Sequence, residues 1–341
     1  MKKISVVVPV YFEEAVIGEF YRRLTSALQA MPARYDYEVV FVNDGSTDNS
    51  LRQLLELART DEHLGVIDLS RNFGHQAAIT AGIDAARGDA VIVIDADLQD
   101  PPEVIAEMVA KWEEGYGVVY GQRRSRAGES ALKLHTASVF YRLLNRLSST
   151  PLPLDTGDFR LMDRLVVDTL CAMREETRYM RGMVTWVGFK QYALPYDRDA
   201  RYAGETKYTF GKMIALALSG ITSFSTRPLT LAVNFGAFVT VLSVLALVWI
   251  VGNRVFGSAA ETPGWASLTV IVLFLGGVQL MSIGVLGEYL GRVFLETKRR
   301  PLYVVAGSYG FPALRRSTCP TCGGIRDCRE QGNVATDDVD G

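Results

Sequence analysis

The chain has 341 residues, with 36 Lys and Arg against 38 Asp and Glu and a formal net charge of −2. That near-balance gives no case for a nucleic-acid partner, and the length allows one large or two modest domains. Four cysteines, three of them crowded at Cys319, Cys322 and Cys328, do not make a secreted disulfide framework.

The first residues, MKKISVVVPV, lack the long apolar core and cleavage site of a signal peptide and read as the first strand of a cytoplasmic domain. Strand 3–10 is followed by a helix over 13–31, with Ile17, Phe20, Leu24 and Leu28 at helical spacing. Strand 37–42 ends in Asn43-Asp44-Gly45-Ser46-Thr47-Asp48. Ser46, Thr47 or Asp48 is placed there to cap a helix over 49–59. Strand 65–69 leads through Arg71-Asn72-Phe73-Gly74 into a helix over 75–86, and strand 90–94 follows. This alternation predicts right-handed crossovers and a parallel sheet. A helix over 102–114, a strand over 117–120, helices over 139–147 and 160–173 and a strand over 190–195 complete the reading.

The organising stretch is 91–102, VIVIDADLQDPP. Its apolar, β-branched start fits a strand buried on both faces. Asp95, Asp97, Gln99 and Asp100 stand at its carboxyl end, where such sheets bind ligands. Acids two apart can share one divalent cation, and hard oxygen ligands suit Mg²⁺ or Mn²⁺ held together with substrate phosphates. A plain turn uses the same residue types, so the surrounding motifs must decide.

The last third differs in character. Residues 228–252 and 263–287 contain no charged side chain. At 1.5 Å per residue each can cross a hydrocarbon core of about 30 Å. Trp249 and Trp265 stand near the outer ends, and Lys207, Lys212, Arg227, Arg292, Lys298, Arg299 and Arg300 near the others. The positive-inside bias places both termini in the cytoplasm. Segment 208–227 has the pattern of an interfacial amphipathic helix. Segment 288–312 is juxtamembrane, with 288–298 expected to lie in the interface as well, and 313–341 reads as a disordered tail. Its Cys319-Pro-Thr-Cys322 resembles half a zinc knuckle but lacks a fourth ligand.

Taken together, VPVYFEE (8–14), VNDGSTD (42–48), RNFG (71–74) and DADLQDPPE (95–103) resemble glycosyltransferase family 2 with its GT-A fold. GQRRSR (121–126), DTGDFRLMDR (155–164), RYMRG (178–182) and RYAGETKY (201–208), followed by two spans, are similar to the polyprenyl-phosphate glycosyltransferases. Within these, the chain looks most like the two-span bactoprenol glucosyltransferases. The resemblance covers about residues 4–305, with a catalytic domain over 1–207.

It implies that Pro9, Tyr11 and Glu13 line a nucleotide pocket and that Asp44 hydrogen-bonds the base, as an Asp can to a uracil or guanine N–H. Asp95 would touch ribose or metal, and Asp97 and Gln99 the metal. Arg201 and Lys207 would close over the diphosphate. Without the resemblance, Asp44 and Glu13 read as a turn and a helix N-terminal charge, and Lys207 as an ordinary membrane flank. The acceptor would be a lipid phosphate, largely dianionic near neutral pH and already nucleophilic. It needs cations more than a base. Arg123 is the first choice, with Arg124, Arg126 and Lys133 behind it. Of the two acids in 155–160, Asp158 is preferred over Asp155 for orienting the acceptor or acting as base, and Arg178 and Arg181 fall near the same face by analogy. The resemblance further implies inverting hexose transfer, glucose from UDP-glucose first, at a bacterial-type inner membrane by a homo-oligomer, a tetramer in relatives. A processive polysaccharide synthase shares the DADLQ strand end but carries more spans and a QxxRW-type motif absent here. A membrane scaffold with a degenerate transferase domain is opposed by the intact Asp44, Asp95, Asp97 and Gln99.

Overall fold

The computed structural model describes residues 1–124, 156–176, 178–197, 227–256 and 264–310. Arg126, Lys133, Asp155, Arg201 and Lys207 lie outside these residues, as do the helix expected at 139–147, all but Arg227 of the segment expected to lie in the interface, and the cysteine-bearing tail.

The chain runs β1 (Lys2–Val10), α1 (Ile17–Gln29), β2 (Tyr35–Asn43), α2 (Ser50–Thr60), β3 (Leu64–Leu69), α3 (His75–Ala85) and β4 (Ala90–Val93). A 3₁₀ turn at Pro102–Val104 then leads into α4 (Ile105–Glu113), β5 (Val118–Arg123), β6 (Thr156–Asp163), α5 (Arg164–Ala172), α6 (Met180–Val187) and β7 (Gln191–Tyr196). Two long helices, α7 (Arg227–Phe256) and α8 (Trp265–Lys298), and a final strand β8 (Val305–Tyr309) complete the order.

The strands form one mixed sheet, ordered β7-β5-β6-β4-β1-β2-β3-β8. β1 to β4 are parallel neighbours, as the βα alternation predicts. Alternate residues of each strand enter opposite cores. On β1, Ile4, Val6 and Val8 join Phe20, Leu24, Leu54 and Met108 on one face, while Val7 joins Ile79, Val167 and Met183 on the other. The sheet is thus sandwiched by helices, and β4 is buried along its whole length.

The structure corrects the expected helix over 160–173. Residues Thr156–Asp163 are strand β6, antiparallel to both β4 and β5, and the helix begins only at Arg164. Phe159 and Leu161 enter one core and Met162 the other, which is strand periodicity. Asp163 then caps α5, its carboxylate accepting from the Leu165 N–H at 2.9 Å. At α2 the N-cap position is Asn49, not an earlier residue, and Asp48 helps by accepting from the Ser50 N–H at 3.1 Å.

Among the described residues one stretch, Phe274–Lys298, is long and apolar enough to cross a membrane, and a shorter apolar stretch, Ala232–Leu245, lies within α7. α8 does not break near residue 287 but runs on to Lys298. The segment after it was not expected to enter the fold. It does: β8 pairs antiparallel with β3. The Ser70 N–H donates to Val304 O at 2.9 Å, and the Tyr303 hydroxyl donates to Asp84 Oδ2 at 2.7 Å.

Candidate active site

β1 has β2 on one side and β4 on the other, so the sheet's switch point lies between β1 and β4. In open α/β sheets the crevice outside the carboxyl ends at that point takes the ligand. Tyr11–Glu13 leave β1 there, and Asp95–Asp100 leave β4. β6 runs the other way, so its start reaches the same rim. The β4–β6 register of Val93 with Arg160, carried on by two residues, sets Asp95 opposite Asp158. The β5–β7 register pairs Arg123 with Tyr196 at that end as well.

The loops beneath are tied together. Asp44, 3% exposed, accepts from the Phe73 N–H at 2.8 Å with Oδ1 and from the Gly74 N–H at 3.0 Å with Oδ2. Burial pushes its carboxyl above the usual range, and these two N–H groups oppose that shift. Asp44 therefore clamps the 71–74 loop, with one further lone pair on each oxygen for a ligand. Gly45 is obligatory: its φ is 65°, and a Cβ would run into the Arg71 backbone. Pro9 is buried in β1, Tyr11 is exposed, and the Glu13 N–H donates to Ser50 Oγ at 3.0 Å.

Two carboxylates dominate the rim. Asp95 Oδ1 is buried without a hydrogen-bond partner. Burial pushes the Asp95 carboxyl up to about 6, with Asp158, Asp100 and Asp97 adding to the shift and His75 opposing it. Asp158, 5% exposed, is instead surrounded by donors. His75 Nε2 lies 3.1 Å and Gln76 Nε2 3.4 Å from its Oδ2, and Arg181 Nε donates to Oδ1 at 3.0 Å. Arg160 stands 3.8 Å away and donates to Gly157 O at 2.9 Å. Burial alone would raise Asp158, but His75, Arg181 and Arg160 outweigh it and hold the carboxyl far below its ordinary range. His75 also lies 3.6 Å from Asp95. Burial lowers its pKa, but the two acids win and raise it to about 9.

These facts revise the expected roles. Of the two roles expected of Asp158, its contacts with Arg181, His75 and Gln76 favour the orienting one, since a carboxylate among several cations is a weak proton acceptor. Arg181 reaches it, as the analogy held. Arg178 does not: it donates to the carbonyls of Met173 and Leu170 at 2.7 and 3.0 Å and satisfies the C-terminal turn of α5. Arg123 is on the rim, its Nη2 2.9 Å from where a Cβ on Gly157 would sit, and its Nε is buried without a partner. Asp97 accepts from the Gln99 N–H at 3.1 Å. His75, Gln76, Asp100 and Tyr196 were not assigned roles from sequence. Tyr196 donates to Asp100, which is 1% exposed. The signals available were the placement of His75 right after Arg71–Gly74 and that of Asp100 at the end of the 91–102 stretch.

Among the described residues no three His, Cys, Asp or Glu side chains are grouped to hold a metal ion. The donors nonetheless suit a hard divalent cation: an orphaned carboxylate oxygen on Asp95 beside Asp97 gives a partial oxygen set, of the kind that substrate phosphates complete.

Comparison with known proteins shows the family of this chain. The profile described as glycosyl transferase family 2 matches residues 5–171. The uncharacterized glycosyltransferase YkcC of Bacillus subtilis is 51% identical over 311 residues, 91% of this chain and 95% of that protein. The SfII prophage-derived bactoprenol glucosyl transferase of Shigella flexneri is 44% identical over 90% of this chain and 98% of that protein. The solved structure of S. aureus TarS with UDP-GlcNAc superposes with a TM-score of 0.46 at 20% identity, covering 65% of this chain and 66% of that one. With its strand-end motifs gathered at one switch point and this identity along nearly its whole length, the chain belongs to glycosyl transferase family 2.

Proposed function

We propose that the protein transfers glucose from UDP-glucose, with inversion, to a polyprenyl phosphate in a bacterial-type inner membrane. The observation that carries this is the pairing of Asp95 and Asp97, at the tip of β4, with the cation-rich Asp158 cluster across one crevice. The 44% identity to bactoprenol glucosyl transferases supports the sugar and the lipid.

In this reading Asp95, Asp97 and Gln99 hold Mg²⁺ or Mn²⁺, which would neutralise the diphosphate leaving group. Tyr11, Glu13 and the Asp44-clamped loop form the nucleotide pocket, with Arg201 and Lys207 closing over the phosphates. Arg123 leads the cations that hold the acceptor phosphate in line, with Arg126 and Lys133 beside it. The acceptor is anionic already, so no side chain need remove a proton from it. Asp158 fixes His75 and Arg181 around the reaction centre. α7 and α8 are two spans that keep the lipid within reach, with both termini cytoplasmic and the chain a homo-oligomer.

The test is transfer of label from radiolabelled UDP-glucose to a lipid extract, in membranes given short polyprenyl phosphate and Mg²⁺ or Mn²⁺. Lipid-borne label is the expected result. Label appearing only in polymer, or nowhere, refutes the reading.

A further inference from the structure

Tyr196 ends β7, the outermost strand, and Asp100 follows β4, with β5 and β6 between them. The two side chains meet all the same: the buried Tyr196 hydroxyl donates to the buried carboxylate of Asp100. Glycines on both intervening strands make room for the crossing. A Cβ on Gly121 of β5 would stand 2.7 Å from the Tyr196 ring and 3.2 Å from that of Phe159. Without it the two rings pack edge-on, with centroids 5.8 Å apart at 88°. A Cβ on Gly157 of β6 would stand 2.9 Å from Arg123 Nη2 and 3.8 Å from Asp100 Oδ2. The Arg123 guanidinium thus shares the space over Gly157 with the carboxylate that Tyr196 holds. The strand register sets Arg123 beside Tyr196, and the Arg124 N–H donates to Tyr196 O at 3.0 Å. Burial and Asp100 raise the Tyr196 phenol well above its ordinary pKa, while the Arg123 guanidinium beside it pulls the other way. The phenol therefore stays a neutral donor.

The planar fork of an arginine grips a phosphate only when it is aimed at it, and the side chains packed behind it set that aim. Arg123 Nε is buried with no hydrogen-bond partner, so that nitrogen does not fix the head. We propose that Tyr196 is a positioning residue for Arg123: anchored on Asp100, it fixes the guanidinium at the angle from which it takes the acceptor's phosphate. Asp100 closes the acidic stretch that leaves β4. The same bond therefore ties the acceptor's cation to the acidic tip, and so the incoming anion to the leaving group. This rests on Arg123 holding the acceptor phosphate, as read above, and on neither the sugar nor the base of the donor.

The test uses full-length protein in detergent and compares Tyr196→Phe, Arg123→Ala, the double variant and Gly157→Ala. It measures KM for short polyprenyl phosphate, affinity for UDP with Mg²⁺, and the melting temperature. Y196F keeps the ring and loses only the hydroxyl. It is expected to raise KM roughly three- to tenfold, the scale of one hydrogen bond, with UDP affinity unchanged. In the R123A background the same change is expected to add nothing. G157A, whose methyl meets the guanidinium first, is expected to raise KM likewise. An unchanged KM in Y196F overturns the positioning role, and so do Y196F and R123A effects that add. Equal losses of UDP and acceptor with a lowered melting temperature overturn it too, since Tyr196 would then be a packing residue. Should Y196F not fold, an unchanged KM in G157A overturns the role. An unchanged KM in R123A overturns the acceptor reading itself, and the role with it.

Discussion

Asp95 and Asp158 stand across one crevice, with His75 between them, and have opposite fates. Asp95 has a buried oxygen with no hydrogen-bond partner and a pKa pushed up to about 6. Asp158 is wrapped by His75, Gln76, Arg181 and Arg160 and is held firmly ionised. The same side chain is thus left wanting a cation where it is 32% exposed and supplied with several where it is 6% exposed. Partners, more than residue type, decide what a carboxylate in this site can do. The first is fit to receive a metal ion with its substrate, and the second to hold other side chains still.

The sharpest way to break that contrast is Asp97→Ala. It removes a carboxylate proposed above as a metal ligand and is expected to lower transfer by roughly 10²–10³-fold or more, with membrane insertion intact. Substantial metal-dependent transfer by this variant contradicts the assignment. Next is Asp158→Asn, which leaves Arg160, Arg181 and His75 without their shared counter-charge. A loss of about 3–5 kcal/mol is expected, read as a fall in melting temperature, whereas Asp95→Asn should stay within about 1 kcal/mol of the parent while losing activity. Equal melting temperatures for the two variants would erase the distinction. Arg123→Ala should raise the KM for polyprenyl phosphate by about tenfold or more, on the scale of a charged hydrogen bond, with UDP affinity unchanged. Gly45→Ala should cost about 1–3 kcal/mol, from a strained backbone pressed against Arg71, seen in thermal unfolding together with weaker UDP binding.

The apolar strands β1 to β4 and the helices between them were legible because hydrophobic periodicity and strand-end punctuation agreed there. β6 was not, because two of its inward positions carry Asp158 and Arg160. Buried charges that pair only in three dimensions look, in one dimension, like the polar face of a helix, and the helical spacing of α5 ran on behind them. The acidic tip at Asp95 and Asp97 was legible as a local pattern. The cluster around Asp158 was not, because His75 and Arg181 come from elements more than a hundred residues apart, and no spacing rule joins them. Arg178 shows the reverse error: placed at the site by analogy with its motif, it is bound instead to carbonyls at a helix end.

β8 has a consequence for how this chain tolerates shortening. Five residues beyond the long α8 helix cover the flank of β3, which would otherwise present unpaired N–H and C=O groups to any other extended chain. A protein cut after Lys298 would expose that flank and lose the Tyr303 tether to Asp84. Such a truncation should self-associate through its catalytic half, in detergent as readily as in the bilayer, even with every residue of the crevice still in place.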